Sequence, residues 1–221
     1  MRKLLGAAAL AFAVLSGAGA VQTASAVTVS DGSIFRVDFD ASTAAGNVST
    51  FLDITVDAVS ATVYDLFVKV TNDTASSPGS RFSAFSFSLD PNVTSLVVSN
   101  PANAAFTDDL NGLNWAKKGG FVPGFMGREF CVGTATNCQA ANAGVADGLI
   151  DRLALRLTFG SSVSAFNITD FAGRFAAIGT QDFSLGVAGT TTAVPLPASL
   201  SLLLAGLAGL GLIGRMRRAA A

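Results

Sequence analysis

The chain has 221 residues, half of them hydrophobic, with fourteen Lys and Arg against fifteen Asp and Glu and no histidine. The missing histidine excludes Ser-His-Asp and Cys-His triads, histidine general acid–base work and His-ligated transition metals from this chain acting alone. Two cations lie near the N-terminus and three near the C-terminus, while all the acids lie between; the central part thus holds nine cations against fifteen acids, a net charge of −6. That charge excludes the clustered-cation surfaces that grip nucleic acid or an anionic membrane.

In chain order, Arg2 and Lys3 precede an apolar segment from Leu4 to Leu15, followed by small residues with Ala-x-Ala spacing at Ala18–Ala20 and Ala24–Ala26. This is the pattern of a secretory signal peptide over residues 1–26, with cleavage expected after Ala26 and Ala20 as the second choice. The 168 residues from Val27 to Val194 are enough for one core of ordinary size. Within them, Leu52, Ile54 and Val56 alternate with Asp53, Thr55 and Asp57; Tyr64, Leu66, Val68 and Val70 share a face opposite Asp65 and Lys69. These period-two runs predict two half-buried strands in a hairpin. Phe85, Phe87 and Leu89 alternate with Ser86 and Ser88, and Asp90, Pro91 and Asn92 supply a turn before Val93–Ser99. Leu153, Leu155, Leu157 and Phe159 repeat the pattern, as do Phe183, Leu185 and Val187.

No long helical stripe interrupts these runs. The expected fold is all-β, an antiparallel β-sandwich of jelly-roll or Ig-like type, with seven to ten short strands over residues 27–186. Seventeen Phe against one Trp and one Tyr supply large apolar rings with no hydroxyl to satisfy.

Between residues 100 and 148 the alternation lapses, predicting an irregular excursion of the kind that more often carries function than scaffold. It holds both cysteines, Cys131 and Cys138. In an exported chain an even count at close spacing reads as a disulfide; a metal pair or a reactive thiol are the alternatives. Trp115, near Asp108, Asp109, Asn111 and Asn114, has two readings: a sugar-contact surface, with the ring stacking on a glycan and the carboxylates and amides binding hydroxyls, or a wedge packing the excursion onto the sandwich. Hard oxygen ligands at Asp108–Asn114, at Asp38 with Asp40, or at Asp147 with Asp151 also admit calcium, though none follows the EF-hand pattern. Glycoside hydrolysis by paired carboxylates needs no histidine, but one Glu and scattered Asp frame no such pair. No catalytic residue is assigned, no metal ligand is assigned and no cofactor is expected.

Residues 187–193 read as a linker. Beyond them come Val194, Pro195, Leu196, Pro197 and Ala198, an apolar run from Ser199 to Ile213, and Arg215, Arg217 and Arg218. The run is short of the roughly 20 residues of a relaxed membrane-spanning helix and inserts only marginally. The basic cluster after it favours the cytoplasmic side and places everything before Val194 across the membrane.

This order of Pro motif, short Leu/Gly/Ala helix and terminal Arg cluster over residues 194–218 resembles the VPLPA variant of the PEP-CTERM sorting signal, with Leu196 where the better-known pattern has Glu. The resemblance implies recognition by an exosortase, an integral-membrane peptidase that cleaves at the motif. It also implies a Gram-negative source and a surface or extracellular-matrix protein made alongside exopolysaccharide. The expectation is a non-enzymatic exported matrix protein, membrane-anchored as a precursor. The competing expectation is a carbohydrate- or calcium-dependent adhesion module that stays on the membrane.

Overall fold

The computed structural model describes residues 26–75, 79–99, 113–118, 122, 124–134, 138, 143–179 and 184–193. The leader up to residue 25 and the tail from residue 194 onward, with the sorting motif, the apolar run and the Arg cluster, lie outside the described residues. Among those described, the chain is all-β, in two antiparallel sheets.

The strands are β1 (Val27–Ser30), β2 (Ile34–Thr43), β3 (Gly46–Ser60), β4 (Val63–Asn72), β5 (Arg81–Asp90), β6 (Val93–Ser99), β7 (Ala116–Lys117), β8 (Phe130–Gly133), β9 (Val145–Ala146), β10 (Ile150–Phe159), β11 (Ala165–Ala176), β12 (Leu185–Ala188) and β13 (Thr190–Ala193). One sheet has six strands in the order β13-β2-β3-β4-β10-β6. The other has seven, β1-β11-β5-β8-β7, with β12 also on β11 and β9 also on β5.

The hairpin read from alternation is β3–β4, where Leu52 pairs with Val70, Ile54 with Val68 and Val56 with Leu66. All six side chains face the core and are buried. The turn entering β3 is set locally: the Thr43 hydroxyl donates to the Gly46 carbonyl at 2.7 Å and accepts from the Ala45 N–H. The predicted strands at Phe85–Leu89, Val93–Ser99 and Leu153–Phe159 are found within β5, β6 and β10.

The sheets meet face to face through aromatic rings. Phe39 of the six-stranded sheet lies 5.3 Å from Phe82 of the other, Tyr64 lies 5.2 Å from Phe166, and Phe35 lies 6.3 Å from Phe171. Each fully buried ring stabilises the fold by roughly 1.5–3 kcal/mol relative to exposure. The one tyrosine keeps its hydroxyl satisfied by donating to the Val163 carbonyl at 2.8 Å.

Two expectations need correction. Residues 187–193 are not a linker: they complete β12 and form β13, whose pairing runs from Thr190↔Asp38 to Ala193↔Phe35. Three threonines are polar enough to read as a linker, yet their β-branched side chains suit a strand, and the edge of β2 is open to receive one. The strands also number thirteen among the described residues rather than seven to ten. The surplus comes partly from β7, β8 and β9 inside the supposedly irregular excursion, which are too short to show a period.

Candidate functional site

The two sheets differ in what covers their outer faces. In β5 every residue from Phe82 to Phe87 is buried, as is every residue from Phe171 to Ala176 in β11, so both faces of the seven-stranded sheet are covered there. The cover is the excursion. Cys131 and Cys138 form a disulfide and join Ala84, Val122 and Ala172 in a small second core, with Phe125 packed against it. The small side chains of Ala84 and Ala172 let the loop settle close to the sheet, and Cys131 pairs with Ser86 of β5. Arg174 is buried on β11, its Nη1 lying 3.4 Å from Ser83 Oγ, and burial lowers its guanidinium pKa from the ordinary value.

Trp115, in the same excursion, belongs instead to the main core between the sheets. It is 1% exposed, its ring lies 5.8 Å from that of Phe85, and its Nε1–H donates to Asp151 Oδ2 at 2.8 Å. A ring so enclosed has no face for a sugar. The wedge reading therefore describes Trp115, and Asn114 beside it is exposed. Asp108, Asp109 and Asn111 lie outside the described residues.

The acids weighed for calcium also have other work. Asp151 Oδ1 accepts the Arg152 N–H at 2.9 Å, and Asp147 accepts the Ser80 N–H. Asp38 accepts from the Thr192 hydroxyl at 3.3 Å; partial burial pushes its carboxyl above the ordinary value, against the pull of Arg36. No cluster of three metal-ligating side chains occurs among the described residues.

Near the end of β4, sequence reasoning missed a buried polar network. Asn72 Nδ2 donates to the Val145 carbonyl at 2.8 Å, and the Ser80 hydroxyl donates to Thr74 at 3.0 Å. Buried polar groups are tolerated where they satisfy one another, so this network fastens the 72–80 and 143–149 connections.

The outer face of the six-stranded sheet carries a different kind of surface. Register places Arg36, Asp53, Lys69 and Arg152 in one row across β2, β3, β4 and β10, and Ile34, Thr55, Phe67 and Ala154 in the next. Asp53, Thr55, Phe67, Lys69 and Arg152 line a shallow depression of about 230 Å³. Arg36 donates through Nε to Asp53 at 2.7 Å and stacks over Phe51 at 3.8 Å. That hydrogen bond holds the Arg36 pKa above its ordinary value. Lys69 Nζ lies 4.0 Å from the other Asp53 oxygen. Phe67, at 39% exposed, is an aromatic residue between Asp65 and Lys69 on the outward face of β4. That break between Asp65 and Lys69 was the signal in the sequence.

Compared with known proteins, the chain matches no family model, no curated protein and no solved structure.

Proposed function

We propose that this chain is a non-enzymatic exported surface or extracellular-matrix protein, sorted through residues 194–198 by an exosortase-type membrane peptidase and released there from its C-terminal helix. The observation carrying this reading is the order of motif, short apolar run and Arg cluster over residues 194–218. One fold boundary supports it: the first described strand opens at Val27, the residue after the Ala-x-Ala site, with Ala26 outside any strand.

Pro195 and Pro197 resist helix and bias their preceding residues to extended geometry, which suits a segment read by a peptidase at the membrane boundary. For the finer fold class we favour a jelly-roll-like sandwich over an Ig-like one, because the chain changes sheet repeatedly between β4 and β13; the consecutive β2-β3-β4 meander departs from both. Association with exopolysaccharide is part of the proposal, and the open face around Phe67 favours a role in glycan contact.

The Arg cluster provides the test. Replacing Arg215, Arg217 and Arg218 together by Ala removes the positive stop, and the expected result is impaired retention before cleavage, read by immunoblot of membrane and medium fractions. A mutant processed and displayed like its parent would refute the assigned role of the cluster.

A further inference from the structure

We infer that the outer edge of β6 joins a second copy of this chain, antiparallel and with the two-fold axis at Val97. The inference is independent of the sorting step and of glycan contact.

An edge strand offers unpaired N–H and C=O groups to any strand that reaches it, and sheets usually blunt such edges by shortness, charge, proline or a bulge. The strands that end the two sheets are β13, β6, β1 and β7. Three of them are short, with four residues in β1 and β13 and two in β7. β6 is different: Val93–Ser99 runs for seven residues with no charged residue, no proline and no glycine. Its one irregularity is Thr94, the extra residue where the pairing steps from Thr158↔Ser95 to Phe159↔Val93. Ser95–Ser99 is therefore regular, and among the described residues no strand pairs with its far side.

The direction of the free groups follows from β10. The Phe159 N–H donates to the Thr62 carbonyl at 2.8 Å, and the Leu149 carbonyl accepts the Asn72 N–H at 3.1 Å, so the odd-numbered residues of β10 bond toward β4. Backbone groups alternate sides along an antiparallel strand. Ala154, Arg156 and Thr158 thus bond toward β6, to their partners Ser99, Val97 and Ser95. Leu96 and Val98 are left with their N–H and C=O groups directed at the open side.

A second β6 meets these groups best in one register. With Val97 opposite the partner's Val97, Leu96 faces the partner's Val98 and Val98 faces the partner's Leu96, and each of these pairs exchanges two hydrogen bonds. Val97 then forms the closer kind of pair, with about 4.5 Å between Cα atoms. Its side chain, 55% exposed on the outer face beside Arg156, gains a β-branched partner. Moving the axis to Leu96 would bring the Thr94 bulge into the ladder and break the match. Charge also points to this edge. A net charge of −6 makes two copies repel in general, but β6 brings no charge to the join, and Arg156 beside it is paired with Asp65 at 2.6 Å.

Cysteine coupling tests the register. Both native cysteines are tied in a disulfide, so an added cysteine is the free thiol. In the full-length chain held in detergent and treated with a mild oxidant, Val97→Cys should form a covalent dimer at least about tenfold faster than Ser95→Cys or Ser99→Cys alone. Each serine position would lie about 13 Å along the strands from its own copy, beyond the reach of a disulfide. Ser95→Cys mixed with Ser99→Cys should recover the fast coupling, because the register sets those two positions opposite each other. All three side chains are exposed, so each variant should melt as its parent does. The inference is overturned if Val97→Cys couples no faster than the single serine variants, or if the mixture couples no faster than its components. A dimer held by another part of the chain would lack this pattern and would overturn it too.

Discussion

Trp115→Phe is expected to destabilise the domain by about 3 kcal/mol, although phenylalanine keeps an aromatic ring beside Phe85. The loss has two sources. The indole N–H donates at 2.8 Å to Asp151, a carboxylate 1% exposed; taking a donor from a buried charged group costs more than a neutral hydrogen bond is worth. The smaller ring also leaves a void in the core between the sheets, where the surrounding strands cannot fully collapse. In a domain of this size the melting temperature should fall by about 6–12 °C. Asp151→Asn keeps an acceptor oxygen for the indole and should cost less. Urea unfolding of the two variants measures both values, and a Trp115→Phe protein within about 0.5 kcal/mol of its parent would contradict the wedge.

Gly189→Ala should be comparably damaging. Gly189 carries the chain from β12 in one sheet to β13 in the other, and its N–H donates to the Phe171 carbonyl at 2.8 Å. A methyl group there would stand 2.7 Å from carbons of Phe171, Phe39 and Val37. Those three side chains belong to the packed core, so none can retreat without disturbing another ring. Replacing glycine by alanine normally gains up to about 1 kcal/mol by restricting the unfolded chain; here overpacking outweighs that gain, for a net loss of about 2–3 kcal/mol. Limited proteolysis should cut residues 190–193 sooner in the variant, because β13 follows the crossing directly. Gly160→Ala is the control: its methyl would meet only Thr94 Cγ2, at 3.3 Å, and should stay within about 0.5 kcal/mol of the parent. Equal stability of the two variants would mean that the close approach at Gly189 is not what limits the crossing.

The sequence was most legible where a strand has one dry face and one wet face. In β3, β4 and β10 the alternation of Leu, Ile and Val with Asp, Lys and Arg identified the core side chains that the sheet buries. The disulfide was legible as well, since the two cysteines lie only seven residues apart and pairing was the favoured reading. Legibility failed where one residue type serves two ends. Thr190, Thr191 and Thr192 read as polar linker but form an edge strand, and only the open side of β2 decides between them. Trp115 admitted both an exposed and a buried role, and the choice turned on Asp151, a partner 36 residues away. Phe67 was passed over because its neighbours Leu66 and Val68 set the expected core face, although an aromatic residue between Asp65 and Lys69 is out of place on a purely solvating surface.

The sorting proposal rests on residues 194–218, and its most direct test is the intact mass of the protein recovered from envelope and culture medium, in strains with and without the sorting peptidase. With the peptidase present, the account predicts a species beginning at Val27, ending within residues 194–198 and carrying one disulfide; without it, the tail through Ala221 should remain. A protein that keeps Arg218 and the terminal alanines in every fraction of both strains would contradict the account, and would make residues 199–213 a permanent anchor.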